Sequence, residues 1–269
     1  MPPKKHIIII GVLCVIALGL GYVYGKWRQG SGQENAGNPE DKEETAAKEP
    51  KFLKQGLVAY YPFNGNAKDE SENGNDGEVN GATLTTDRHG KAERAYDFDG
   101  VDDKITASHQ AHLNAFPITV STWVKFQNRK PYVFINKYLN KSFVGYFLEI
   151  RKTGKVGFSF LNNHPSSGSV GGVLYVGSDS PKSNDLSDGS WHQLAFSVDK
   201  IQGVLFVDGK KILAMPIDGV ASAPNTNQPL NFGAGGMGKF NGQLDDIRIY
   251  NRALSEAEVK ALYEFEKTN

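Results

Sequence analysis

Short runs of β-favouring residues repeat along most of this chain, and they are the feature that most constrains its fold. From residue 52 onward, runs rich in Val, Ile, Phe, Tyr and Thr are separated by Gly, Asn, Asp or Pro. The separations recur about every 8 to 12 residues, which is typical of an antiparallel sandwich or barrel. We therefore predict an all-β antiparallel sandwich that occupies 52–269 as one domain.

Eight segments fit strands best, and two of the turns between them have a recognisable chemistry. The Asp208-Gly209 pair supplies the positive φ angles of a two-residue hairpin turn. Gly154 is expected to turn the chain between two further strands. The predicted strands are 56–63, 118–126, 132–139, 145–152, 155–161, 191–199, 203–212 (a hairpin) and 242–250.

The final segment alone favours a helix. Ser255 and Glu258 have the spacing of a capping box, and Val259, Leu262 and Tyr263 recur on one helical face. We expect a short C-terminal helix that lies on the sandwich as a lid for its edge.

The N-terminus carries a different signal. Residues 7–25 contain no charge, Lys4 and Lys5 precede them, and Lys26 and Arg28 follow them. At about 1.5 Å per residue, such a helix nearly spans a hydrocarbon core of roughly 30 Å. We predict an N-terminal membrane anchor over 1–28, formed by a single transmembrane helix. A cleaved signal peptide and a lipoprotein signal that acylates Cys14 are the alternatives.

The next segment, 29–51, is predicted to be a flexible acidic tether. It holds six acidic residues, three lysines and no apolar side chain larger than Ala, so it cannot build a core. The anchor and tether together predict a single-pass membrane protein. Its C-terminal domain would lie outside the cytoplasm, in the periplasm or at the cell surface, and would be secreted if the N-terminal segment is cleaved.

Charge and cysteine content exclude several classes of protein. The predicted domain carries 23 basic and 24 acidic residues, so it offers no basic field for nucleic acid. The sole cysteine, Cys14, cannot form an intramolecular disulfide or a cysteine-based zinc site.

Six strings, in this order along 52–269, resemble the laminin-G-like jelly-roll domains of the concanavalin A-like lectin/glucanase superfamily. The resemblance implies two packed antiparallel sheets, and it leaves the ligand open because this superfamily includes enzymes, lectins and interaction modules. The strings are GLVAYYPFNGNAKDESENGNDG, AYDFDGVDDKI, ITVSTWVK, DGSWHQLAFSVD, LFVDGKK and FNGQLDDIRIYNRALSEAEVKALY.

The loop DESENGNDG suggests a metal site. Asp69, Ser71 and Asn73 alternate and Gly74 follows, which is the order of oxygen donors and glycine that opens a calcium loop. Asn80 occupies the twelfth position, where an EF-hand has glutamate, and no helices flank the loop. The segment is therefore not an EF-hand.

A second carboxylate is expected from the last strand. A period of two places Asp245 on the side of Ile247 and Ile249, where an isolated carboxylate is costly. The resemblance implies a structural Ca²⁺ between the loop and this aspartate. The metal candidates are Asp69, Asn73, Asn75 and Asp245. The alternative is a turn that caps its own backbone and that Asp245 pins by hydrogen bonds, without metal.

No catalytic residue is predicted. The closely spaced acid pair that the resemblance implies for glucanases does not occur between 52 and 269. Glu149 is expected to be a lone solvated or ion-paired strand residue, and Asp102 and Asp103 are expected to form a turn. His192 alternates with apolar residues and is expected to be a satisfied core histidine.

The sequence thus predicts a lectin-like, non-enzymatic recognition module that binds a glycan or a cell-surface or envelope protein. Tyr132, Tyr138 or Tyr175, if exposed, could stack on sugar rings, although packing on the sheet is the simpler role for each. The alternatives are a polysaccharide-degrading hydrolase or lyase of the same fold, and a structural envelope protein without a small ligand.

Overall fold

The structure, a computed structural model, describes residues 49–139, 144–161, 174–176, 185–217, 222–235 and 238–269. All of them fall within the unit that the chain's contacts define over 45–269. No helix in these ranges is long and apolar enough to span a membrane. The predicted anchor and all but the last residues of the predicted tether lie outside the described residues.

The described residues form short strands, two single-turn 3₁₀ helices at Lys51–Lys54 and Ala111–Leu113, and one α-helix. The elements are β1 (Leu57–Tyr61), β2 (Gly77–Asn80), β3 (Thr83–Thr85), β4 (Ala95–Asp99), β5 (Lys104–Ala107), β6 (Ile118–Lys125), β7 (Tyr132–Leu139), β8 (Val144–Ile150), β9 (Val156–Leu161), β10 (Leu174–Val176), β11 (Trp191–Val198), β12 (Gln202–Val207), β13 (Lys210–Pro216), β14 (Leu230–Phe232), β15 (Ala234–Gly235), β16 (Gly238–Lys239), β17 (Asn241–Tyr250) and α1 (Glu256–Thr268).

Two antiparallel sheets pack face to face, which confirms the predicted all-β sandwich. The eight-stranded sheet has the order β13-β12-β11-β6-β17-β4-β3, and β1 also pairs with β17. The seven-stranded sheet has the order β10-β9-β8-β7-β14-β5-β2, and β15 and β16 form a separate ribbon. We call the side of each sheet that is turned away from the other sheet its outer face.

Aromatic side chains fill the space between the sheets. Phe232 of β14 is fully buried and meets the ring of Tyr61 from β1 edge-to-face, at a centroid distance of 4.9 Å. Phe63 meets Tyr96 in the same way, also at 4.9 Å. Such pairs stabilise a core beyond the area that they bury.

The predicted hairpin turn is confirmed. Asp208 and Gly209 have φ angles of 50° and 69°, and they join β12 to β13. A side chain on Gly209 would also lie within 3.0 Å of the Tyr263 ring. Glycine is thus needed here both for the turn and for the close approach of α1.

The predicted capping box is also confirmed at the start of α1. The Glu258 backbone amide donates to Ser255 Oγ (3.3 Å), and the Ser255 amide donates to Glu258 Oε2 (2.8 Å). Val259 and Leu262 are buried against outer-face residues of the eight-stranded sheet, including Phe206. The helix therefore covers part of the outer face of this sheet and is not only a lid for an edge.

Strand β17 contains a β-bulge that the sequence pattern does not reveal. Asp245 lies opposite Trp123 of β6, whereas Arg248 lies opposite Ser121. Three steps along β17 thus match two steps along β6, and Asp246 adopts a positive φ of 44°. One extra residue at this point reverses the side on which earlier residues of the strand project.

The bulge corrects the prediction made for Asp245. A strict period of two placed Asp245 with Ile247 and Ile249, and that placement is wrong. Because of the bulge, Asp245 projects from the outer face together with Arg248, while the two isoleucines face the core. Asp245 is nevertheless buried, since only 2% of its surface is exposed.

His192 occupies the inward-facing row of β11, as the alternation predicts, at the end of the strand. It lies opposite the buried Val124 of β6. Its Nδ1 is 2.9 Å from Asp208 Oδ2 in the hairpin turn, and its Nε2 is 3.3 Å from Asp188 Oδ1. The hydrogen bond to Asp208 outweighs burial and raises the pKa of His192.

This shift predicts a pH-dependent contribution to stability. A histidine pKa that is higher in the folded chain than its ordinary value of about 6.5 stabilises the fold below that value. The contribution disappears as the pH rises through the folded-state pKa. We expect His192→Gln to lower the free energy of unfolding by about 1 kcal/mol or less near pH 5.5, and by much less at pH 8.5. Urea unfolding of both proteins at the two pH values measures this, and an equal loss at both would contradict it.

Candidate functional site

The loop predicted to open a metal site is organised around Asp69. Its Oδ1 accepts hydrogen bonds from the amides of Tyr60 and Ser71, each at 2.9 Å. Its Oδ2 accepts from the backbone amide (2.9 Å) and side-chain nitrogen (2.7 Å) of Asn75. Burial alone would raise the pKa of Asp69, but these hydrogen bonds outweigh it and lower the pKa.

The two predicted asparagine ligands are tied to the same loop and to its neighbours. The Asn75 side chain is buried, donates to the Val58 carbonyl (2.8 Å), and meets His112 Nε2 through its Oδ1 (2.7 Å). Asn73 is exposed, and its Nδ2 donates to Ser71 Oγ (3.0 Å). The structure thus joins Asp69 directly to Asn75, and it joins Asn73 to the loop through Ser71.

Asp245, the fourth predicted ligand, is paired with arginine. Arg88 Nη1 lies 2.6 Å from Asp245 Oδ2 and 2.8 Å from Asp246 Oδ2. Burial and the neighbouring Asp246 carboxylate raise the pKa of Asp245, although Arg88 opposes this. The bulge at Asp246 allows two adjacent carboxylates to share one guanidinium.

In this arrangement the four side chains do not fit a calcium ion. Calcium takes six to eight oxygen ligands at about 2.3–2.6 Å. Both oxygens of Asp69 already accept two N–H groups each, and Asp245 holds a guanidinium. Calcium binding would require the loop to exchange these hydrogen bonds for metal bonds. We therefore expect no calcium ion at these four residues, and the melting comparison described below tests this expectation.

Asp102 and Asp103 lie in a turn, as the sequence predicts. Asp103 Oδ2 accepts the Asp99 amide (2.9 Å), and Asp99 Oδ1 accepts the Val101 amide (2.7 Å). Asp99, Asp102 and Asp103 form the one acidic group close enough to share an ion among the described residues. Two of these aspartates are exposed, and the hydrogen bonds explain the group as a turn.

A buried ionic network fixes α1 to the eight-stranded sheet. Glu266 is 2% exposed, and its Oε2 accepts hydrogen bonds from Trp123 Nε1 (2.8 Å) and Gln193 Nε2 (3.0 Å). Its Oε1 accepts from Arg248 Nε at 2.8 Å. Burial raises the pKa of Glu266, and Arg248 and Arg88 oppose that shift.

The loop before β4 completes this network at the C-terminal end of α1. Arg88 donates to the Glu266 carbonyl through Nε (3.0 Å) and Nη2 (2.5 Å), and His89 Nε2 lies 3.1 Å from the same oxygen. Carbonyls of the last helical turn lack partners within a helix, so these contacts satisfy one of them. Sequence reasoning missed Arg88 and Glu266. The available signal was Glu266 itself, which lies on the apolar face seven residues after Val259.

The outer face of the seven-stranded sheet carries a different set of side chains, arranged in one row. Each member of the row lies directly opposite the next on the neighbouring strand, so all project from the same face. The alternate residues, such as Leu148, Ile135 and Phe232, belong to the core. From β9 to β2, the row is Ser159, Phe147, Asn136, Asn231, Thr106 and Glu78.

The centre of this row combines an aromatic surface with amide and hydroxyl groups. Phe147 and Tyr138 are half-buried neighbours whose ring centroids are 5.1 Å apart. Asn136, next to Phe147, is half-buried, and Asn231 Oδ1 accepts the Thr106 hydroxyl at 3.0 Å. Stacking surfaces beside fixed donors and acceptors suit a ligand rich in hydroxyl groups.

The three tyrosines considered for stacking on sugar rings differ in their surroundings. Tyr138 borders the row. Tyr132 is buried and meets the Phe240 ring edge-to-face, so it has the packing role that the sequence favoured. The side chain of Tyr175 lies outside the described residues.

A family model described as the concanavalin A-like lectin/glucanases superfamily (Laminin_G_3) matches residues 99–260. The chain belongs to this superfamily. No curated protein sequence matches it.

Solved structures with the same fold include several binding domains. The binding domain of Paraclostridial mosquitocidal protein 1 has a TM-score of 0.63 and 21% identity, over 78% of this chain and 52% of that one. The botulinum neurotoxin DC binding domain matches at 16% identity over 79% of this chain and 52% of that one. Its TM-score is 0.58 in complex with SialylT and 0.59 in complex with rat synaptotagmin II. This chain spans about half the length of these structures, and at such identities the likeness shows the fold.

Within the superfamily, a glucanase would be expected to show a pair of carboxylates facing a cleft. Glu149 of β8 lies on the same strand face as Phe147, is 1% exposed, and is 2.8 Å from Arg151 Nη2. This ion pair confirms one of the two roles expected for Glu149. Burial raises the pKa of its carboxyl, although Arg151 opposes this.

The buried ionic network around Glu266 predicts that replacing this glutamate with glutamine strongly lowers the stability of the fold. Glu266→Gln removes one acceptor and leaves the buried Arg248 without its neutralising charge, so we expect a loss of about 3 kcal/mol in the free energy of unfolding. Urea unfolding measures the loss. Glu264→Gln, on the exposed side of the same helix, is the matched control and should change little. Equal stability of the two variants would contradict the role assigned to Glu266.

The hydrogen bonds to the Asp69 carboxylate predict that calcium does not change the stability of the fold. Since N–H groups already occupy its carboxylate, we expect the full-length chain to melt at the same temperature in EDTA and in millimolar Ca²⁺. Differential scanning fluorimetry makes this comparison. A higher melting temperature in Ca²⁺, lost in Asp69→Asn, would show that the loop rearranges to bind the ion.

Proposed function

We propose that this chain is a membrane-anchored, extracytoplasmic recognition module that binds a glycan on the outer face of its seven-stranded sheet. The observation that carries the proposal is the row centred on Phe147, Asn136 and Asn231, with Tyr138 beside it. Rings of a sugar would stack on the aromatic pair, and its hydroxyl groups would bond to the amides.

The rigidity of this face favours binding. The row lies on paired strands and not on loops, so its spacing is fixed by the sheet before a ligand arrives. The hydrogen bond between Asn231 and Thr106 also holds one amide in position. A preorganised face loses less conformational entropy on binding than a flexible one.

The compared binding domains support recognition in general terms, since the botulinum neurotoxin DC binding domain was solved once in complex with SialylT and once with rat synaptotagmin II. A protein partner is therefore the second form of the same proposal. Half-buried aromatic and amide groups serve either kind of ligand, but the scarcity of large exposed apolar side chains among the described residues favours a glycan.

The N-terminal sequence supports the proposed location. The uncharged run at 7–25 would anchor the chain, and the acidic segment that follows would hold the domain away from the membrane surface. In this arrangement the domain would meet glycans or proteins of the cell envelope.

Hydrolysis of a polysaccharide is the alternative function, and Glu149 is the observation that favours it. A buried carboxyl with a raised pKa, close to the proposed binding row, has the character of a general acid. The ion pair with Arg151 favours the ionised form of the Glu149 carboxyl, and it therefore favours a structural role.

Glycan-array screening of the full-length chain, followed by calorimetry on the best ligand, tests the proposal. We expect Phe147→Ala and Asn136→Ala each to weaken binding about tenfold, since each removes roughly 1.4 kcal/mol of contact. Asn128→Ala is the matched control, because it removes an amide from the loop after β6 of the other sheet. Binding that neither substitution at the row changes would contradict the proposed site. Release of reducing sugar, lost in Glu149→Gln, would favour the hydrolase instead.

A further inference from the structure

One side chain in the row on the seven-stranded sheet has hydrogen-bonding groups that the fold leaves unused. Asn136 of β7 lies between Phe147 of β8 and Asn231 of β14. A carboxamide can both donate and accept hydrogen bonds, yet that of Asn136 makes none within the described part of the chain. Asn136 is half-buried, and its amide atoms are not among those that burial closes off from solvent. Its amide is therefore available to a ligand.

The neighbouring asparagine is held in one orientation. Asn231 Oδ1 accepts the Thr106 hydroxyl (3.0 Å), and Asn231 Nδ2 donates to the Pro229 carbonyl (3.3 Å). An amide oxygen has two lone pairs and an amide nitrogen has two hydrogens, so Asn231 can still accept one bond and donate another. Neighbouring strands lie about 4.8 Å apart, and the two carboxamides therefore stand side by side on the sheet.

An apolar surface adjoins this pair of amides on one side. Phe147 lies directly opposite Asn136, and the centroid of its ring is 5.1 Å from that of Tyr138. Both aromatic side chains are half-buried. The order across the sheet is thus an aromatic ring, an unpaired carboxamide and an oriented carboxamide.

The charged groups nearest the centre of the row already have partners. Glu149 is buried and paired with Arg151. Lys137, the residue after Asn136, projects to the other side of the sheet and donates to the Gln228 carbonyl (2.6 Å). An ionised sugar would lose hydration at this surface without a strong new ion pair in return. The centre of the row therefore favours a neutral ligand.

An acetamido group has three features that complement the order of side chains in the row. Its methyl group is apolar, its carbonyl accepts a hydrogen bond, and its N–H group donates one. A sugar hydroxyl lacks the apolar end, and an ammonium group lacks the acceptor. Because the carbonyl and N–H of a trans amide point in opposite directions, two side chains on neighbouring strands reach them better than one does.

We propose that the row recognises an N-acetylated amino sugar through its acetamido group. The carbonyl accepts a hydrogen bond from Asn136 Nδ2, the N–H group donates to Asn231 Oδ1, and the methyl group contacts the Phe147 ring. This inference rests on the proposed binding of a glycan by the row, and it adds the class of sugar.

Isothermal titration calorimetry with three trisaccharides of the same linkage tests the inference. Triacetylchitotriose carries an acetamido group where cellotriose carries a hydroxyl and deacetylated chitotriose an ammonium group. The full-length chain is held in a detergent without a sugar headgroup. We expect triacetylchitotriose to bind with a Kd of about 1 mM or lower, and each of the other two to bind about tenfold or more weakly. Equal affinity for triacetylchitotriose and cellotriose would overturn the acetamido inference and leave glycan binding by the row intact.

Asn136→Ala tests the assigned contact without disturbing the fold, since the side chain that it removes makes no hydrogen bond within the described residues. We expect it to weaken binding of triacetylchitotriose about tenfold and to leave that of cellotriose within about twofold, so that the preference disappears. Asn80→Ala, which removes an exposed asparagine from β2 of the same sheet, is the matched control and should change neither affinity.

A preference for triacetylchitotriose that survives Asn136→Ala would overturn the role of Asn136. Failure of all three trisaccharides to bind would overturn the acetamido inference. The glycan array then decides the proposed function separately, because binding of any other sugar that Phe147→Ala weakens would still place a glycan on the row.

Discussion

One extra residue in β17 determines how the outside of the eight-stranded sheet is built. The bulge at Asp246 turns Asp245 away from the core and aligns it with Arg248 on the outer face. Arg88 can then pair with both aspartates while it also donates to the Glu266 carbonyl of α1. Without the bulge, a carboxylate would face a core of aromatic rings, where burial of an unpaired charge is prohibitive. One of the contacts that hold α1 in place therefore depends on this local change of register.

The two outer faces consequently differ in character. Part of the outer face of the eight-stranded sheet is covered by α1, and buried ionic contacts hold the helix there. The outer face of the seven-stranded sheet has its row of amide, hydroxyl and aromatic groups partly accessible, apart from the buried Ser159. Rigid strands support both faces. The first fixes the fold. The second offers a broad surface.

Much of the architecture could be predicted because its signals are local. The Asp208-Gly209 turn and the Ser255–Glu258 capping box depend on residues a few positions apart, and both occur as expected. The bulge depends on how β17 pairs with β6, and a period of two within one strand cannot reveal it. The row likewise depends on pairing between distant segments, since Asn136 meets Asn231 only when β14 lies beside β7. The superfamily resemblance, confirmed by the match at 99–260, predicted the sandwich. It did not predict which residues lie on either outer face.

Recognition on the seven-stranded sheet is the central claim, and hydrogen–deuterium exchange of the full-length chain with and without its best glycan tests it most directly. Strand amides are protected by their ladder, and a ligand laid across a sheet slows their exchange further. The claim predicts slower exchange in peptides covering β7, β8 and β14, with little change in β6 and β17. Protection confined to β6, β17 or α1 would contradict it.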